Sequence, residues 1–204
     1  MNRFLICAAL AFALAGNAAA QPSHKVQELV APIALYPDVL VAQMLAASTH
    51  PDEVVHARLW LEAHHFANAQ ELAQAVDGEA WAPDIKALTL LSPVLDAMRR
   101  NFAWTAALGE AYTDAPDEVL GAVQSVRRDA LAAGALKSTS EQNVITQGDT
   151  ILIQPANAER AYVPGGGVFD VAVFERFAWG WHGWEVNWQQ GAVRYQDAPY
   201  LSLR

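Results

Sequence analysis

The sequence predicts a mainly α protein: a compact multi-helix bundle, then a small β-hairpin with a short strand, then a tryptophan-rich C-terminal hairpin. Three observations lead there. Helix-starting Pro-Asp pairs recur at Pro37-Asp38, Pro51-Asp52, Pro83-Asp84 and Pro116-Asp117, with Ser92-Pro93 a close relative. Apolar residues between 25 and 134 fall at helical spacing. From Ser138 onward the pattern changes to β-rich runs broken by glycines.

Residues 1 to 20 read as a signal peptide rather than as part of the fold. Met1-Asn2-Arg3 is a basic start, Phe4 to Ala15 an apolar core, and Ala18-Ala19-Ala20 an A-x-A site that places cleavage between Ala20 and Gln21. About twelve apolar residues are too few for a membrane anchor, which needs ~20. Cys7, the only cysteine, lies inside this segment, so the mature chain has no disulfide and no thiolate chemistry. Formal charge is −9, and losing Arg3 leaves −10 over the 184 residues from Gln21. An acidic chain without a clustered Lys/Arg face argues against nucleic acid or anionic lipid as the main partner.

The bundle is expected over 21–137. Val26, Leu29, Val30 and Ile33 make a helical stripe over 25–35, which Tyr36-Pro37-Asp38 breaks. Proline suits the first turn of the next helix, where its missing N–H costs nothing. That helix, 38–48, is apolar on nearly every side with Gln43 the exception, so it should be enclosed by the others, with Gln43 bonded to a carbonyl of the broken helix. Further helices follow at 52–64, 69–76, 83–91, 93–112 (with Asn101 a break and N-cap) and 116–133. The last carries a Val119, Val123, Val126, Ala130 stripe and ends at Gly134. The acids after each proline have a capping role, because the helix dipole favours negative charge in the first turn.

Two β-rich runs flank Gly148-Asp149, a hairpin, and Ala161-Tyr162-Val163 is a third short strand, so 138–164 forms a small β unit on the bundle. Gly165-Gly166-Gly167 reads as a flexible break that uncouples the tail, 165–204. There, 168–174 alternates, and Trp184, Val186 and Trp188 share one face of a strand that Gln190-Gly191 turns into Ala192–Tyr195.

Several of these stretches resemble one family. They are Leu29–Leu40 with its Leu-Tyr-Pro-Asp, His50-Pro-Asp-Glu-Val-Val55, Trp60-Leu61, Trp81–Leu88, Asn101–Thr105, Ala133–Thr139 and Ile153–Asn157 with Tyr162-Val163-Pro164. The chain resembles the exported bacterial domain of unknown function numbered 3300 over roughly residues 26 to 164. The resemblance implies an envelope location in Gram-negative bacteria and brings no catalytic residues. Members often continue past the Tyr-Val-Pro strand with long Tyr/Pro- and Trp/Gly-rich sequence, whereas here a glycine run and a short tail follow.

For chemistry, the residues offer little. His50, His56, His64 and His65 lie near Asp52, Glu53 and Glu62. Asp52 and His56, one turn apart, are the only weak metal candidates, and no zinc spacing such as H-E-x-x-H exists. No G-x-S-x-G elbow is present, and Ser48, Ser92 and Ser125 sit in or beside helices. No cofactor is expected. Trp179, Trp181, Trp184 and Trp188 are the candidate ligand surface, since rigid aromatic faces suit sugar rings or partner side chains. The competing reading makes Trp60, Trp81 and Trp104 core and has Trp184 and Trp188 cover the bundle. The expected function is an exported, non-catalytic binding or assembly module of the cell envelope, with an envelope protein or polysaccharide as partner. The alternative is a periplasmic hydrolase of an envelope polymer.

Overall fold

A computed structural model describes residues 23–200. The signal-peptide and cleavage readings at Ala20 and Gln21 lie outside them. Eight α-helices appear among the described residues, followed by three small antiparallel sheets.

The first helix, α1 (His24–Val30), is capped by Ser23, whose Oγ accepts from Val26 N–H. It is shorter than the predicted 25–35. Pro32 has no N–H to continue the ladder, so the chain turns over residues 31 to 36 instead. The next helix, α2 (Asp38–Ser48), has nine of its eleven residues buried, as its all-round apolar sequence requires. It is enclosed by α3 (Pro51–Ala63), α5 (Pro83–Leu88) and α7 (Phe102–Asp114), and by strands of the C-terminal half. A β-carbon at Gly109 would stand 1.9 Å from Ser48 O, so α7 can cross the end of α2 only because residue 109 is glycine.

The remaining helices are α4 (Ala69–Asp77), α6 (Ser92–Arg100) and α8 (Pro116–Ala132). Four of the eight begin with proline in the first turn. At α4, Asn68 Oδ1 accepts from Glu71 N–H while Glu71 Oε2 accepts from Ala67 N–H, two donors satisfied across one turn. The long 93–112 prediction does break at Asn101, but not by capping. The Asn101 side chain donates back to Ala97 O and closes α6 rather than opening α7. At the end of α8, Gly134 has φ +71 and lets Ala135 and Leu136 donate to Ala130 O. The predicted stripe faces inward, with Val119 and Val123 buried and Val126 and Ala130 partly buried, and the buried face widens to take in Leu120, Ala122, Gln124 and Arg127.

Strands β1 (Gln142–Gln147) and β2 (Thr150–Pro155) pair in register around Gly148-Asp149. Gly148 alone has positive φ, the glycine-first pattern of a type II′ turn. Ile151 and Ile153 pack with Leu136 in a satellite core against α8 and α2. Then β3 (Arg160–Val163) pairs with β4 (Gly167–Asp170). The glycine run expected as a flexible break is instead the turn of this hairpin, with Gly165 and Gly167 at positive φ. The alternation read over 168–174 stops at Asp170 and becomes a 3-10 turn at Ala172–Phe174 beside α4. Strands β5 (Trp184–Asn187), β6 (Ala192–Tyr195) and β7 (Ala198–Pro199) complete a three-stranded sheet whose first two strands lie on α2. Val171, Phe174, Trp184 and Val193 join one core with the residues of α2.

Candidate functional site

Asp38 begins α2 and is half-buried. Its Oδ1 accepts from Arg127 Nη1 at 2.6 Å and from Ile153 N–H at 3.2 Å, and its Oδ2 accepts from Trp188 Nε1 at 3.1 Å. Arg127, on α8, is fully buried, and each guanidinium nitrogen is used. Nε donates to Ala34 O, Nη1 also to Ile151 O, and Nη2 to Tyr36 O. Burial pulls the Arg127 pKa down, and the Asp38 carboxylate opposes that pull. Gln124, one turn earlier, brackets Ile151 by donating to its carbonyl and accepting from its N–H. The Arg127 guanidinium carbon lies 4.8 Å from the centroid of the Trp188 ring. One arginine and one aspartate thus tie the α1–α2 turn, β2 and the tail together.

Trp188 is thereby held by its N–H and by one ring face, and it lines two concavities. One, of about 320 Å³, is bounded by Gln147, Thr150, Asn187 and Gln189. The other, of about 370 Å³, is bounded by Asp117, Gln124, Gln189 and Gln190. The turn that carries Trp188 is itself pinned: Asn187 Nδ2 donates to Gln190 Oε1 and Gln190 N–H to Asn187 Oδ1. Gly191 follows with φ +61, where a β-carbon would meet Asp117 Cβ at 3.0 Å. The hairpin turn therefore sits directly on the start of α8.

The other candidate tryptophans are interior. Trp179 and Trp181 are 4 % exposed and Trp184 2 %. Trp179 Nε1 donates to Asp77 Oδ1, and Trp184 Nε1 to Trp179 O. Of the four, only Trp188 is half-buried rather than buried. Trp60, Trp81 and Trp104 are half-buried and pack against the core from outside, Trp104 with its N–H on Leu29 O.

A second polar centre lies under the tail. Asp84, at the start of α5, is fully buried and accepts from Tyr200 Oη at 2.9 Å. His50 Nε2 is 3.8 Å from its Oδ2, beyond hydrogen-bond range, and Oδ2 has no hydrogen-bond partner among the described residues. Burial pushes the Asp84 carboxyl up to about 6, with His50 and Tyr200 pulling it down and Glu53 adding to the rise. The Tyr200 phenol is pushed up as well, first by burial and then by Asp84. Trp184, Tyr195 and Tyr200 pack together beside this centre, Tyr200 edge-to-face on the other two rings, with ring centroids 4.6 to 5.6 Å apart. Gln43, predicted to bond a carbonyl, does not: its buried amide has no hydrogen-bond partner among the described residues.

Of the histidines, His50 alone reaches this acid. His64 stacks on Trp60 at 4.4 Å, and His65 is exposed. Asp52 and His56 lie exposed on α3, and among the described residues no three His, Cys, Asp or Glu side chains gather where a metal could sit. No helix among those residues is long and apolar enough to cross a membrane. An open concavity of about 570 Å³ runs between α1 and α7 over Val26, Leu29 and Trp104, with Glu28, Glu110 and Asp114 at its rim.

Sequence reasoning missed Arg127, Asp38 beyond its capping role, and the Asp84–Tyr200 contact. The signal for Arg127 was its place four residues after Val123, on the buried face of α8.

The family model described as "Protein of unknown function (DUF3300)" matches residues 22–201. Over 122 residues the chain is 37% identical to "Uncharacterized protein YacH" of Escherichia coli (strain K12), which covers 60% of this chain and 20% of that protein. The chain thus spans about a fifth of that relative's length. No solved structure matches it.

Proposed function

The chain belongs to the DUF3300 family of proteins of unknown function, and from that premise we propose that it is an exported, non-catalytic binding or assembly module of the Gram-negative cell envelope. Its working surface is the saddle around Trp188. One observation carries this reading: Trp188, half-buried, lines two concavities while Asp38 and Arg127 fix its orientation from inside. An aromatic side chain locked before the ligand arrives binds with little further ordering cost, which is what a recognition anchor needs. The hydrolase alternative draws on Asp84 and His50, a raised carboxyl beside a histidine. That carboxyl is enclosed beneath Tyr200, and we assign the pair to holding the C-terminal end.

The test is co-sedimentation of the mature chain with peptidoglycan and outer-membrane fractions. Wild type should be retained, and Gln147→Ala/Gln189→Ala, altered only at exposed side chains of the saddle, should be retained less while melting unchanged. Equal retention of both proteins, or none of either, would remove the saddle as the working surface. Export is checked separately by the intact mass of the periplasmic protein, which should begin at Gln21. A mass that includes residues 1–20 contradicts it.

A further inference from the structure

We infer that the Trp188 saddle takes an uncharged glycan chain, with successive sugar units in the two concavities and the indole between them. This rests on the binding-module reading and names the ligand class for it. Shape comes first. The concavities share Trp188 and Gln189, so a ligand that fills both is extended and passes over the indole. A sugar polymer has that form, and each ring offers a C–H face for packing on an aromatic surface.

The lining supplies the second argument. Gln147 and Thr150 line one concavity and Gln189 lines both, while Asn187 and Gln190 line their rims with part of their hydrogen-bonding capacity spent within the turn. Amides carry donors and acceptors together, as sugar hydroxyls do, so either group can answer whatever the other presents. Among the described residues, no lysine or arginine lines either concavity, and the charged residues that do are Glu185 and Asp117. A phosphorylated or carboxylated polymer would meet like charge and no counter-ion, a mismatch that selects for a neutral chain. The indole N–H is already given to Asp38. What Trp188 has left to offer is ring surface, the part that a sugar's C–H face uses.

A protein segment is the competing occupant. It would favour a deep apolar pocket for an anchor side chain, whereas these concavities are more polar than apolar.

The experiment is calorimetric titration of the mature chain with tetramers of β-1,4-linked N-acetylglucosamine and of β-1,4-linked glucose, with a galacturonate tetramer as the anionic control. The expected result is saturable binding of at least one neutral tetramer in preference to the anionic one. Gln147→Ala and Gln189→Ala should each weaken it by roughly fivefold, the loss of one neutral hydrogen bond, without shifting the melting temperature. Silence with both neutral tetramers, preference for galacturonate, or variants that bind like wild type would each overturn the inference. Titrations that are silent while saddle-dependent retention on envelope fractions persists, and is lost after protease treatment, mean that the saddle reads protein. The glycan inference then fails and the binding module stands. Loss of retention as well removes both.

Discussion

Arg127 and Asp84 are both charged groups fully removed from solvent, and their surroundings treat them in opposite ways. Arg127 has a partner at every guanidinium nitrogen, and its carboxylate partner Asp38 is in turn bonded by Ile153 and Trp188. Asp84 has one side-chain hydrogen bond, from Tyr200, and an oxygen with none. A buried charge with all its valences met becomes a junction, and segments distant in sequence depend on it. A buried charge with valences unmet is a cost that the fold carries, and it responds to pH. The difference assigns the first centre to architecture and makes the second the place where the interior is least settled.

The largest break should come from Arg127→Met. It takes the counter-charge from the half-buried Asp38 carboxylate and the arginine donors from the carbonyls of Ala34, Tyr36 and Ile151, the last keeping Gln124, and we expect a loss of about 3–5 kcal/mol. Urea unfolding should show this as a lower midpoint at an unchanged slope. A variant within 1 kcal/mol of wild type (roughly the worth of one hydrogen bond) would dissolve the contrast.

Asp84→Asn sharpens it from the other side. The carboxyl titrates at 3.8 when unperturbed and at about 6 in the fold. Between those values the folded state holds more protons than the unfolded chain, so the stability it contributes is complete below about pH 3.8 and is lost as pH rises to about 6. Asparagine keeps an acceptor for Tyr200 and carries no charge. The variant should therefore lack this decline and match or exceed wild type at pH 7, by an amount on the order of 2 kcal/mol. If Asp84→Asn instead destabilises at pH 7 and leaves the pH profile intact, the carboxylate is as well paired as Asp38.

Gln43→Met gives the smallest effect. It removes a buried amide without hydrogen-bond partners at nearly constant volume, and thermal melts should show a gain of about 1 kcal/mol. A loss would mean that the amide is satisfied.

Much of this was legible in sequence, and the reasons it stopped are local. Proline at the start of a helix announces itself, so most helices, the hairpin at Gly148-Asp149 and the strand pair around Gln190-Gly191 could be placed from neighbours alone. Pro32 was the local signal overlooked, and it shortened α1. Arg127 carried only its spacing from Val123 as a signal, which is weak because an arginine beside an apolar stripe is ordinarily a solvated flank. Asp38 looked like a cap because it is one by position, and its other bonds come from residues 89, 115 and 150 positions away. The tryptophan run posed a choice between packing and display that no window could decide. Three of the four are buried and Trp188 alone is half-buried, because it follows the end of β5 and is caught there by Asp38.

The tail shares the core of the bundle, and the saddle is presented from that base. Thermal unfolding of a mature chain ending at Pro164, beside the chain ending at Arg204, tests this most directly. Truncation removes Phe174, Trp179, Trp181, Trp184 and Val193 from the shared core and takes Trp188 from Asp38. Each large side chain contributes roughly 1.5–3 kcal/mol when buried, so the shorter chain should melt at least ~10 °C lower. Coincident melts would contradict the account and make residues 165–204 an independent appendage.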